Sequence, residues 1–127
     1  MPAQAQPSFG TAAGGFRLAS PPASNAVFIE AWGYWDAETA KAFAEEAPIL
    51  SRKAAAPFSL VLEASQLKPQ GVKGQAALRV LLECLTKLSV SRAVARVSNI
   101  LTRMQLTRIA AECGAAQLLR FDTGRDE

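Results

Sequence analysis

The chain contains no histidine. That removes Ser-His and Cys-His nucleophilic pairs, histidine metal sites and the commonest general base together. Cys84 and Cys113 share no metal-type spacing, and two cysteines make no disulfide framework in a chain of 127 residues. Both fall in helical runs, where a free cysteine behaves as a small buried hydrophobe. No paired carboxylates, nucleophile–base pair or metal set can be assembled from the remaining residues. The expectation is a protein that is not an enzyme and takes neither cofactor nor metal.

One stretch still has the makings of a site. Residues 63–75, Glu-Ala-Ser-Gln-Leu-Lys-Pro-Gln-Gly-Val-Lys-Gly-Gln, join the most strand-like run, 58–62, to the longest helical run, about 72–88. In α/β proteins a glycine-containing turn from strand to helix is where working groups gather. The helix start also presents unpaired backbone N–H groups and the positive end of a dipole, which suit an anion.

The elements that would position this stretch follow from spacing. Residues 1–15 are Ala, Gln, Pro, Gly and Ser with one Phe, and read as a flexible tail. Residues 16–19 and 26–32 read as a hairpin around the Pro- and Asn-containing turn 20–25. Asp36 is a good N-cap for a helix whose apolar positions Ala40, Phe43, Ala44 and Ala47 share one face. Pro48 should end or kink that helix. Strand 58–62 follows, and then a helix whose inward stripe is Ala77, Leu78, Leu81, Cys84, Leu85 and Leu88. Val80 and Leu82 fall outside the stripe.

Residues 90–97 alternate as a fourth strand, with Val94, Arg92 and Arg96 on its wetter face. Ser98 or Asn99 caps a third helix, with Leu101, Met104, Ile109 and Cys113 among its apolar positions. Gly114 ends it. Residues 118–121 are a last short strand, after which a charged tail frays. The expected fold is one α/β domain over 16–123, between the tails 1–15 and 124–127. Its order is β-β-α-β-α-β-α-β, a mixed, largely parallel sheet of about five strands with three main helices.

Half the residues are apolar, enough for a globular core. No run approaches a membrane span, and the start lacks the features of a signal peptide, so a cytoplasmic protein is expected. The formal charge of +3 is unevenly placed. Five acidic residues against Lys41 occupy 30–46, whereas nine basic residues against Glu83 and Glu112 occupy 68–120. This could steer an acidic partner. The basic residues, Arg92, Arg96, Arg103 and Arg108 among them, form no run and have no interleaved aromatics, so no nucleic-acid partner is expected.

Several segments together resemble a known family. Gly33-Tyr34-Trp35-Asp36-Ala37-Glu38-Thr39-Ala40 resembles the segment that opens the first helix of STAS domains, the SpoIIAA-like modules of anti-sigma factor antagonists and sulfate-transporter tails. Leu60-Val61-Leu62-Glu63-Ala64-Ser65 looks like the family's third strand. Ser98 to Met104, Cys113-Gly114 and Leu119-Arg120-Phe121-Asp122 resemble its closing helix and strand. The similarity spans about 16–123. It implies a protein-binding module that docks a kinase-like anti-sigma factor or other STAS domains, itself included.

The family's switch is a phosphorylated serine at the start of the second helix. Counting from Ser65, the corresponding residues are Gly71-Val72-Lys73-Gly74, so Lys73 stands in the serine's place. The ordinary phospho-switch is therefore missing at this position. The resemblance places the partner surface on Gln70, Gly71, Val72, Lys73 and Gly74, with Val80 and Leu82 on the helix beyond. The alternative is an apolar-ligand or membrane-surface binder using Trp32, Tyr34 and Trp35 beside the basic half.

Overall fold

The computed structural model describes residues 8–20 and 25–122. The expected tails at 1–7 and 123–127, and residues 21–24 of the first turn, lie outside the described residues. Within them the order is β1 (Ser8–Thr11), β2 (Gly14–Ala19), β3 (Ala26–Gly33), α1 (Ala37–Lys53), β4 (Phe58–Leu67), α2 (Val72–Leu85), β5 (Val90–Val97), α3 (Ile100–Glu112) and β6 (Leu119–Asp122). This is an α/β fold with one mixed sheet of six strands.

The strands lie side by side in chain order. β1, β2 and β3 are antiparallel, and β3 to β6 run parallel. Each parallel step carries one helix, and α1 packs on α2 and α2 on α3. The helices thus form one layer. Burial agrees, because alternate residues of every inner strand are sealed beneath them: Leu18, Ile29, Leu62, Ala95 and their neighbours. The opposite set, including Arg17, Phe28, Glu30, Arg92 and Arg120, is exposed. Period-2 alternation has become a two-layer domain with one open sheet face.

The core's aromatic rings gather where β2 meets α1. Phe16 and Phe43 lie edge to face at 5.2 Å, and Trp35 tilts onto Phe43 at 4.6 Å. The Trp35 indole N–H donates to Gly15 O at 3.0 Å, so its polar edge is paired inside the core. Gly33 has φ +71°, and a Cβ there would collide with the Ala13 backbone. The glycine lets the β1–β2 turn close over the end of β3, where Tyr34 N–H donates to Ala13 O at 3.0 Å.

Three expectations are corrected. Residues 8–15 are not a tail: β1 and the start of β2 form a further hairpin, making the sheet six strands rather than about five. Pro48 does not end α1, which runs on to Lys53. The proline is buried, and that packing offsets the hydrogen bond its ring removes. The second helix stops at Leu85, with Thr86 as C-cap, before Leu88. The caps follow the sequence. Asp36 accepts from Thr39 N at 2.8 Å, and Gly114, after the Cys113 C-cap, has φ +83°.

Candidate functional site

β4 continues to Leu67, so Glu63, Ala64, Ser65 and Gln66 belong to the strand and the junction shrinks to residues 68–71. Its centre is Gln70, only 4% exposed. The side-chain oxygen accepts from Trp35 N at 3.0 Å. The side-chain nitrogen donates to Gly33 O at 3.0 Å and Lys68 O at 2.8 Å. The Gln70 backbone and the Gln105 amide exchange two hydrogen bonds, 2.8 and 2.9 Å, which tie the junction to α3. Thr102 Oγ1 adds a bond to Leu67 O at 2.9 Å.

This clasp sorts the expected partner residues. Gln70 is a buried tie between the β3–α1 loop, the junction and α3, not a surface contact. Gly74 is buried against the Gln70 side chain, where a Cβ would not fit. Gly71, half-buried, is the N-cap of α2 and supplies no side-chain hydrogen bond. Leu82 is buried in the core, which overturns its expected role on a partner surface. The core contact of α2 is wide enough to take Leu78, Leu81, Leu82 and Leu85 together. Val72, Lys73 and Val80 are exposed.

The neighbouring helix start carries the larger exposed apolar surface. Asn99 Oδ1 caps α3 by accepting from Leu101 N at 2.8 Å and Thr102 N at 3.1 Å. The buried face of α3 is Thr102, Leu106, Ile109 and Ala110. Leu101 and Met104, two of the expected apolar positions, therefore face out, and with Ile100 they are 55%, 60% and 72% exposed. A groove of about 710 Å³ runs beside Ile100 and Met104, with Val97, Ser98, Asn99 and Arg103 in its walls. The Arg103 guanidinium lies 5.3 Å over the Phe121 ring. Arg108 bonds Gln75 Oε1 and pairs with Glu112, which also pairs with Arg79, so α2 and α3 are strapped together.

The exposed stripe was missed because α3 has two apolar faces. Ile100, Leu101 and Met104 fit helical spacing as well as Leu106, Ile109 and Ala110 do. The offset between those sets was the available signal.

The three aromatics do not form one surface. Trp35 is in the core. Trp32 lies on the other face of the sheet, donating to Thr11 O at 2.7 Å beneath the Arg17 guanidinium. Tyr34 is exposed, with its hydroxyl beside Gly71. The arginines are also divided. Arg92 and Arg96 lie on the open sheet face, and Arg103 and Arg108 on α3.

Titration follows these contacts. The backbone N–H of Thr39 holds the Asp36 carboxyl below its ordinary value, and Arg79, ahead of Arg108, does the same for Glu112. Burial, then the charge of Glu83, pushes the Cys113 thiol up. Cys84 and Cys113 are both half-buried free thiols. Among the described residues no group of His, Cys, Asp and Glu is placed to hold a metal ion, and no helix is long and apolar enough to cross a membrane.

Fold and site together define a two-layer α/β domain with an apolar helix start on display and a sheet face that no described element covers. No family model matches the chain, and no curated protein matches it.

Proposed function

We propose that the chain is a protein-interaction module of the STAS, SpoIIAA-like kind, and that it binds rather than catalyses. The carrying observation is the exposed trio Ile100, Leu101 and Met104 at the start of α3. A surface helix ordinarily turns polar residues outward, and contiguous exposed apolar side chains rimmed by polar ones mark interaction sites.

The first turn of α2 supports the same surface. Val72 is 85% exposed and follows by two residues the Gln70 that clasps Gln105. Gln105 in turn lies one helical turn beyond Leu101. Arg103 and Arg108, which line the groove beside the trio, give it a basic rim, while Lys73 faces the crevice between α1 and α2. The partner that fits presents an apolar centre among acidic side chains, as a kinase-like anti-sigma factor or another STAS domain would in this reading. With Lys73 where the resemblance expects a serine, docking would be constitutive rather than released by phosphorylation there.

Co-purification from the native host tests the reading, with the recovered proteins quantified by mass spectrometry. The wild-type chain should retain a specific partner that Met104→Asp loses and Arg103→Glu weakens. Retention indifferent to both changes would refute this surface. Binding to anionic vesicles instead, lost with the same changes, would transfer it to a membrane.

A further inference from the structure

The open sheet face is patterned in rows. Strand registers align Arg17 with Glu30, Glu30 with Glu63, Glu63 with Arg96 and Arg96 with Asp122. One row across β2 to β6 thus reads plus, minus, minus, plus, minus. Within it Arg17 pairs with Glu30, and Arg96 lies 3.5 Å from Glu63 and 3.6 Å from Asp122. The next row, two residues along, is Ala19, Phe28, Val61, Val94 and Arg120, and Phe28 in it is exposed.

We infer that this face is a homodimer interface, on which a second copy packs sheet against sheet about a two-fold axis lying along β4. Two observations carry it. Sheets that are parallel throughout are almost always covered on both faces, and here the four-strand parallel part, β3 to β6, is covered by the described helices on one face only. The charge row is also complementary to its own reverse. Turned over about β4, Arg17 of one copy meets Asp122 of the other, and Glu30 meets Arg96. The apolar centre of the next row matches as well, because Phe28 meets Val94 and Val61 meets its own copy, with Arg120 at the edge against Ala19.

Sheets packed this way sit about 10 Å apart with strands nearly aligned. A two-fold interface must be self-complementary, and opposed charges of this kind fix its register. Only Glu63 meets a like charge, itself across the axis. Each copy neutralises its own with Arg96 and holds it with Ser65 Oγ. Removing that charge in Glu63→Gln should therefore tighten the dimer.

Sedimentation equilibrium of the full chain tests the arrangement. The wild type should dimerise. Glu30→Arg alone places two cations together twice, and Arg96→Glu alone two anions twice, so each should dimerise at least about tenfold more weakly. Mixed in equal amounts, the two variant chains restore opposite charges at both contacts and should form a one-to-one heterodimer. A wild type monomeric throughout the micromolar to millimolar range would overturn the proposal. So would a dimer indifferent to either substitution, or a mixture that stays monomeric. If a charge variant loses its circular-dichroism signature of folding, Phe28→Lys serves instead: it should weaken the dimer at least about tenfold, and an unchanged dimer would refute the interface. Met104→Asp should dimerise as the wild type does, which separates this surface from the proposed docking site on α3.

Discussion

Two strand-to-helix junctions leave the same end of the sheet one strand apart, and they spend their side chains in opposite ways. Between β4 and α2, Gln70 turns inward and its side chain closes three hydrogen bonds to three backbone groups. The helix after it begins without a side-chain cap or an acidic residue. Between β5 and α3, Asn99 caps the helix, and the residues after it turn apolar side chains outward. The first junction is a fixed anchor. The second is a displayed surface whose position the anchor sets, through Gln105. Topology makes both junctions candidates for function. Which one is free to bind is decided by where the polar side chains point.

That contrast yields graded expectations. The largest effect belongs to Gln70→Ala. It strands the Trp35 N–H in a buried site and removes two further bonds, so it should cost about 3 kcal/mol in urea unfolding. A loss under about 1 kcal/mol would mean that the junction is no anchor. Asn99→Ala deletes the α3 cap and should cost about 1 kcal/mol by the same measurement.

Acid should tell the caps apart. Asp36 and Glu112 hold protons more weakly when folded than at their ordinary values, 3.8 and 4.5. The unfolded chain therefore binds the proton first as pH falls. Their stabilisation is complete above the ordinary values and is lost as pH drops through the lower folded ones. Thermal melts should weaken below about pH 4.5, and Glu112→Gln should flatten that decline. The Asn99 cap does not titrate, so Asn99→Ala should lower melting temperature by the same amount across that range. The smallest effect is Lys73→Glu, which exchanges an unfavourable charge for a favourable one in the first turn of α2. It should add about 0.5 kcal/mol, fading with salt.

Much of the fold was legible because the strands alternate and the helices announce their ends. The β2–β3 hairpin, the Asp36 and Asn99 caps and Gly114 all follow local chemistry. β1 was not legible, since Gly10-Thr11-Ala12-Ala13-Gly14-Gly15 has the composition of a tail and becomes a hairpin only against β3. The site was less legible than the fold. A glutamine carries no sign that it will be buried, so Gln70 looked like surface. Leu82 looked surplus because the width of a helix contact depends on neighbours, here α1 and α3. The charge row became visible only once register aligned residues as distant as Arg17 and Asp122.

The start of α3 is the surface proposed to meet a partner. A photo-crosslinking residue placed at Met104, and separately at exposed Glu45 on α1, tests this directly in the native host. The Met104 position should capture one discrete protein, lost when Ile100→Asp is added, whereas the Glu45 position captures none. Equal capture from both positions, or capture at Met104 that survives Ile100→Asp, would contradict it.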